Sequence, residues 1–330
     1  MKKILFVVTT DLNYDQRMQR ICSSLQQAGY SVTLLGRVWP VSQPLKAQIY
    51  TQKRLKCFFN SGKLFYLEFN IRLLLFLLRT QQHAYCAIDL DTALPVLLKA
   101  KLSKKPFIYD AHEYFPEMPE VVRRPFIKKN WEFVERLVIR NTTFGYTVSN
   151  SIAAIFKQKY KKSFEVIRNL PIQKPQNTVA TSAPYILYQG AVNEGRGLES
   201  LLIAMQQVNL PLVICGEGDL LASIINQSKQ LGIADRVDFK GYVMPAELAI
   251  ITQQALVGVM LLENKGLSYY YSLSNKFFDY VQAGIPQIFS NFPEYKQINE
   301  QYHIGLPTSL DAESIAATLN KLICDKALYR

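Results

Sequence analysis

Tyr188-Gln-Gly-Ala-Val-Asn-Glu-Gly-Arg-Gly197 is the stretch on which the reading of this chain turns. It follows a short apolar run, Tyr185–Tyr188, and precedes Leu198–Gln207, whose apolar residues recur at helical spacing. The decad is therefore a strand-to-helix junction. Gly190 lets a ligand approach the backbone closely, and Arg196 offers a guanidinium to a diphosphate. A second strand end, Val213-Ile-Cys-Gly-Glu-Gly-Asp219, adds Gly216, Glu217 and Gly218. A third, Val259-Met-Leu-Leu-Glu263, leads into Ser272-Leu-Ser-Asn-Lys-Phe-Phe-Asp-Tyr280 and Ala283-Gly-Ile-Pro286. Ser274 and Asn275 sit where a helix begins, so free backbone amides there can hold an anion. Asp279, one turn in, can accept hydrogen bonds from ribose hydroxyls. Each piece alone fits a capped helix or a tight turn. Three such strand ends in one domain describe a nucleotide diphosphate cradle.

Outward from that centre, short β-branched runs alternate with amphipathic segments. Val237–Phe239, Val257–Leu261 and Gln287–Ser290 read as strands, and Asp219–Leu231 and Asn275–Ala283 as helices. Upstream an earlier series carries Ile4–Val8, Val32–Leu35, Phe107–Tyr109, Phe144–Val148 and Phe164–Ile167, with helices at Gln16–Ala28 and Trp131–Arg140. Alternation of this kind implies parallel sheets with right-handed crossovers. Between the series, residues 172–184 are rich in Pro, Gln, Thr and Ser and lack periodicity. The expected organisation is an α/β domain over 1–171, a linker over 172–184 and a second α/β domain over 185–330, with ligands at the carboxyl ends of the strands. The first βα junction reads Thr-Thr-Asp-Leu-Asn-Tyr-Asp-Gln-Arg17 without a glycine, which excludes a dinucleotide fingerprint.

The stretch from Tyr188 to Pro293 resembles the donor half of glycosyltransferase family 4, the retaining GT-B enzymes of group 1. The matching pieces are Gly190 to Gly197, Gly216-Glu-Gly218, Phe239-Lys-Gly-Tyr-Val243, and Asn275-Lys-Phe-Phe-Asp-Tyr followed by Ala-Gly-Ile-Pro. In the first half, Asp15-Gln-Arg17, Tyr109-Asp-Ala-His-Glu113 and Ile167-Arg-Asn-Leu-Pro171 agree with it. The resemblance implies two Rossmann-like, doubly wound parallel-sheet domains facing across a cleft, the first for the acceptor and the second for a nucleotide sugar. It puts Arg196 at the family's phosphate-binding lysine, Asp279 at its ribose-contacting glutamate and Glu263 at its sugar-facing acid. It matches His112 to a histidine that reaches the donor sugar, and sets Asp15 and Arg17 on the acceptor side. Two positions depart from the pattern. Ala191 stands where an arginine is usual, so diphosphate neutralisation falls to Arg196, Lys276 and helix-terminal amides. The eighth residue after Glu263 is Tyr271, so the family's acidic pair is missing. A final helix crossing back to the first domain is also expected, yet the sequence stops at Leu328-Tyr-Arg330.

Composition bounds the rest. Of a formal charge of +12, residues 1–170 contribute 27 Lys+Arg against 12 Asp+Glu, and residues 171–330 contribute 11 against 14. The first half is strongly basic, which suits an anionic membrane surface. A nucleic-acid-binding module would account for the charge as well, but the sequence carries no aromatic–basic recognition motif. Five scattered cysteines and three histidines give no metal-ligand spacing and read as reduced thiols in a cytoplasmic protein. Asp89-Leu-Asp91 mimics a metal-binding D-x-D, but it lies in the first half and reads as strand-end and helix-cap residues. No apolar run reaches the roughly 18 to 20 residues of a membrane span. Leu64–Leu78 is interrupted by Glu68, Asn70 and Arg72, and is either a core helix or a membrane-docking one.

These readings predict a metal-independent retaining glycosyltransferase with no cofactor beyond its nucleotide-sugar donor. It would act on a glycan or lipid-linked acceptor in cell-surface polysaccharide biosynthesis, in the cytoplasm or on the inner face of the membrane. A sugar-nucleotide epimerase of the same fold is the other enzyme reading. No residue stands out as a covalent nucleophile.

Overall fold

The computed structural model describes residues 1–173 and 183–325. Most of the expected linker and the final Leu328-Tyr-Arg330 therefore lie outside the described residues. The chain divides into two compact units, Met1–Arg168 and Asn169–Arg330.

The first unit holds seven strands: β1 (Lys3–Val7), β2 (Ser31–Val38), β3 (Thr51–Lys56), β4 (Ala84–Ile88), β5 (Phe107–Ala111), β6 (Phe144–Thr147) and β7 (Glu165–Val166). Its helices are α1 (Gln16–Gln27), α2 (Gly62–Leu78), α3 (Leu90–Leu102), a single turn α4 (Pro119–Val122), α5 (Pro125–Asn141) and α6 (Asn150–Tyr160). All strands are parallel, in the order β3-β2-β1-β4-β5-β6-β7. The order reverses between β1 and β4, the topological switch point at which such sheets bind ligands. Two of these strands have no counterpart in the sequence reading. β3, Thr-Gln-Lys-Arg-Leu-Lys, is an edge strand whose lysines discourage pairing with another sheet. β4, Ala-Tyr-Cys-Ala-Ile, is short, and its two alanines and cysteine dilute the strand signal of Tyr85 and Ile88.

The second unit holds β8 (Ile186–Gln189), β9 (Leu212–Cys215), β10 (Val237–Gly241), β11 (Val257–Met260), β12 (Gln287–Ser290) and β13 (Gly305–Thr308). Between them run α7 (Leu198–Ala204), α8 (Leu221–Gln230), α9 (Pro245–Gln254), a single turn α10 (Leu267–Tyr270), α11 (Asn275–Ala283), α12 (Pro293–Tyr302) and α13 (Ala312–Cys324). The sheet is again all parallel, ordered β10-β9-β8-β11-β12-β13. β13 contains Pro307, tolerated because it lies at an edge.

Both faces of this second sheet are covered, which is why β8, β9, β11 and β12 are buried at every position rather than at alternate ones. Ile186, Tyr188, Leu212, Ile214 and Val259 pack with α7, α8 and α13. Their neighbours Leu187, Val213, Cys215 and Met260 pack with α9, α11 and α12. Each such Leu, Ile or Val side chain removed from water contributes about 1.5–3 kcal/mol. Helix α11 is pinned beneath the strand ends. A Cβ on Gly258 would lie 2.5 Å from the Tyr280 ring, and the Tyr280 hydroxyl sits 3.1 Å from the Leu187 carbonyl and 3.2 Å from that of Val259. Among the described residues no helix is long and apolar enough to cross a membrane.

Candidate functional site

In the second unit, the loops after β8 and β9 are built to touch. Gly190 has φ +117° and its N–H donates to the Cys215 carbonyl at 2.9 Å. A Cβ on Gly216 would fall 1.8 Å from the Gly190 carbonyl oxygen, so any larger residue would part the two strand ends. Downstream the loops zip together. Val192 N–H donates to the Glu217 carbonyl at 2.9 Å, Asp219 N–H to Asn193 Oδ1 at 3.1 Å, and a Cβ on Gly218 would meet Asn193 Oδ1 at 2.0 Å. The Glu217 side chain turns out to solvent and accepts from the Tyr242 N–H at 3.4 Å. It is the Glu217 backbone carbonyl, not its carboxylate, that ties the two loops together.

Lys276, in the first turn of α11, comes up beneath Gly190. Its Cε and Nζ lie 3.3 Å from where a Gly190 Cβ would stand, and Nζ is 4.1 Å from the Tyr188 ring centroid. The ammonium is buried and has no hydrogen-bond partner. Burial, with the Arg196 cation adding to it, lowers its pKa from 10.5 to about 7. Asp279 draws it the other way, and that carboxylate accepts from Gln189 Nε2 at 3.2 Å while Gln189 Oε1 accepts from Thr252 Oγ1 at 2.7 Å. Arg196 stacks with its guanidinium carbon 5.2 Å from the Tyr269 ring centroid, and its Nε is buried without a hydrogen-bond partner.

The loop after β11 joins the same place. Glu263 N–H donates to the Gly195 carbonyl at 3.0 Å, and its carboxylate pairs with Lys265 at 3.2 Å; Lys265 also holds Glu194. At the start of α11, Ser274 N–H donates to the Tyr295 hydroxyl at 2.9 Å, and the Ser274 side chain makes no capping bond. Asn275 is exposed and its Oδ1 accepts from Asn169 Nδ2 at 2.7 Å. Thus Gly190, Gly216, Gly218, Arg196, Lys276, Asp279 and Glu263 share one set of strand ends. Sequence reasoning missed Tyr188, Gln189, Thr252 and Tyr269, which hold those side chains. A polar Gln189 ending an otherwise apolar strand was the available signal.

In the first unit, Asp15 caps α1, accepting from Met18 N–H at 3.0 Å and from Thr10 Oγ1 at 2.6 Å. Arg17 is buried against Asp110, with nitrogen–oxygen distances of 2.6 and 2.7 Å. Both side chains expected on the acceptor side therefore have partners within their own unit. His112 follows β5, its Nδ1 3.9 Å from an Asp89 oxygen. Burial and the Arg17 cation lower the imidazole's pKa, leaving the ring neutral near pH 7. Asp89 itself has φ +55°, a conformation that costs a non-glycine residue about 1–3 kcal/mol. Its other oxygen accepts from Glu113 N–H at 3.1 Å. Burial and the nearby carboxylates of Glu113, Asp91 and Asp110 hold its carboxyl well above the ordinary range. Asp91 accepts from Thr9 Oγ1 at 2.7 Å and is raised by burial to about 6. Among the described residues no group of His, Cys, Asp and Glu is arranged to hold a metal ion.

Residues 171–330 match the family model described as glycosyl transferases group 1. No curated protein matches the sequence. Among solved structures, sucrose-phosphate synthase from Thermosynechococcus elongatus is similar at a TM-score of 0.81 and 16% identity, covering 100% of this chain and 92% of that one. HepE of Anabaena in complex with UDP and glucose is similar at 0.75 and 13% identity, covering 100% and 92%. A Listeria monocytogenes protein described as a UDP-N-acetylglucosamine 2-epimerase is similar at 0.66 and 9% identity, covering 100% and 90%. The glycine-lined strand ends, the all-parallel doubly wound sheets and the match across the second of them lead to one statement: the chain has the GT-B glycosyltransferase fold, and its residues 171–330 are similar to glycosyl transferases group 1.

Proposed function

We propose that this chain is a metal-independent, retaining glycosyltransferase of family 4 that moves a hexose or related sugar from a nucleoside diphosphate to a glycan or lipid-linked acceptor, in the assembly of cell-surface polysaccharide. One observation carries the reading. The Lys276 ammonium is buried, lacks a hydrogen-bond partner and stands beside Gly190 at the N-terminus of α11. Asp279 offsets only part of the cost, since burial still lowers the Lys276 pKa to about 7, and a buried cation without hydrogen bonds is costly in a folded protein unless an anion completes it. A diphosphate does so, and Gly190, without a side chain, lets its oxygens approach the backbone.

The chemistry follows from the leaving group. Departure of a nucleoside diphosphate builds negative charge on its β-phosphate and positive charge on the sugar, so preorganised cations at the phosphate lower the barrier. Lys276, Arg196 and the first amides of α11 supply that field. Asp279, held by Gln189, takes the ribose hydroxyls, and Glu263 faces the transferred sugar. His112 is neutral and able to donate or accept a hydrogen bond, and the first unit binds the acceptor on the cytoplasmic side. UDP is the favoured nucleotide, since UDP accompanies several of the similar structures.

Calorimetric titration with UDP, GDP, ADP and dTDP sugars tests this, with micromolar to millimolar affinity for one of them as the expected result. Incubation with the donor alone separates the enzyme classes, because epimerisation of the sugar without acceptor would replace the transferase reading. Salt-sensitive oligonucleotide binding without nucleotide-sugar affinity would instead identify a non-catalytic basic module.

A further inference from the structure

Helix α2 is apolar on both of its sides. Phe65, Phe69, Leu73 and Leu77 face the core and are buried. Leu64, Leu67, Ile71, Leu75 and Leu78 form a second stripe at helical spacing, each at least half exposed. A helix that is apolar all round belongs where both sides are covered, and here one side has solvent.

The same arrangement continues on its neighbours. Helix α3 turns Ala93, Val96, Leu97 and Ala100 inward and leaves Leu94, Leu98 and Leu102 exposed. Helix α5 exposes Phe126 and Phe133 at 76% and 65%, with Leu137 beside them. Helix α2 packs on α3, and α3 on α5. The chain steps β3, β4, β5, β6 across the sheet with its successive crossovers in one direction, so right-handed connections put all three helices on one face. Their outer sides form a single layer. Apolar patches of this extent on a soluble surface mark interaction sites.

Charge identifies what the layer meets. Lys63 precedes Leu64, Lys101 lies between Leu98 and Leu102, and Lys129, Arg136 and Arg140 share the outer side of α5 with its phenylalanines. Among the described residues of 62–140, Glu120 is the one exposed acid. A second copy of the chain would bring the same positive charge, which opposes pairing. Nucleic acid would use the cations but gain nothing from leucine stripes. Leucines and phenylalanines interleaved with long basic side chains suit a lipid headgroup boundary, where the apolar groups sink and the cations reach anionic phosphates.

We propose that the outer face of α2, α3 and α5 docks shallowly on an anionic lipid bilayer. This deepens the lipid-linked acceptor reading above, but it stands on residues remote in sequence from the donor cradle, so the two can fail separately. The test uses the full chain and flotation with phosphatidylcholine vesicles, with and without phosphatidylglycerol. The chain is expected to float with the anionic vesicles and to stay behind with neutral ones. The pairs Leu67→Gln with Ile71→Gln, and Lys101→Glu with Lys129→Glu, should each lower partitioning by about tenfold or more, while UDP binding by calorimetry stays at the parent value. Flotation indifferent to phosphatidylglycerol, or variants that float like the parent, would overturn the proposal. So would a dimer, seen by light scattering and dissolved by Leu67→Gln with Ile71→Gln, in a chain that ignores vesicles. Absent UDP binding with anionic flotation intact would remove the donor reading and leave the docking face standing.

Discussion

Lys276 carries the sharpest consequence of the site. In the free protein its pKa is lowered to about 7 by burial and Arg196, so near neutral pH the amine is only partly protonated. A diphosphate beside it favours the ammonium and raises that pKa. Binding therefore takes up a proton, and affinity is highest below pH 7 and falls as pH rises through 7 toward the bound-state value. Calorimetry near pH 8.5 in buffers of different ionisation heat, well above the second phosphate ionisation at about 6, should report uptake approaching one proton per UDP. Lys276→Met should abolish that uptake and weaken binding by roughly tenfold to a hundredfold, the worth of a hydrogen bond to a charged group. Equal proton uptake in the variant would remove Lys276 from the phosphate site. Under the proposed function Arg196 acts on the transition state instead. Arg196→Ala should lower turnover by roughly two orders of magnitude or more, as loss of a preorganised charge donor does. Steady-state kinetics with a saturating donor checks it, and parent-like kcat would exclude Arg196. Arg196 was legible in the sequence because it stands between two glycines after a strand, and Lys276 because the family resemblance, with Ala191 in place of an arginine, left the diphosphate to it. Gln189 and Thr252 were not, since a residue that holds another side chain through a hydrogen bond leaves no local pattern.

At the scale of elements, the proposed donor cradle rests on two glycines whose backbones touch. Gly216→Ala would drive a methyl to within 1.8 Å of the Gly190 carbonyl, and backbone cannot step aside as a flexible side chain can. The substitution should cost about 1–3 kcal/mol of stability and abolish UDP binding. Thermal unfolding with and without UDP reads both, since a variant that keeps the parent's UDP-induced shift would show that the strand ends can separate harmlessly. The strands that frame the proposed cradle could be read from sequence because both faces of their sheet are buried, so β9 and β11 are continuous apolar runs and β8 and β12 carry polar residues only at their ends. Edge strands β3 and β13 escaped that reading for the opposite reason: one carries protective lysines, the other a proline. Helix α2 was ambiguous between core and membrane surface because its sequence serves two surroundings, one stripe for the sheet and one facing out.

For the whole molecule, the two units have separate cores: one around β1, β2 and α1, the others on the two faces of the second sheet. The fold class followed from the restart of strand–helix alternation after residue 184, a pattern that any interruption of periodicity of that length would expose. A ligand that binds only the second unit stabilises that unit alone, by about 2.7 kcal/mol at a hundredfold excess over Kd. The sequence supplies a built-in means of separating the two signals, because both of its tryptophans, Trp39 and Trp131, lie in the first unit. Urea unfolding followed by tryptophan fluorescence reports the first unit, whereas far-UV circular dichroism reports both. Saturating UDP should move the dichroism transition of the second unit to higher urea and leave the fluorescence midpoint where it was. Fluorescence and dichroism midpoints that rise together by the same amount would mean that the first unit shares in nucleotide binding, and would move part of the donor site out of residues 185–325.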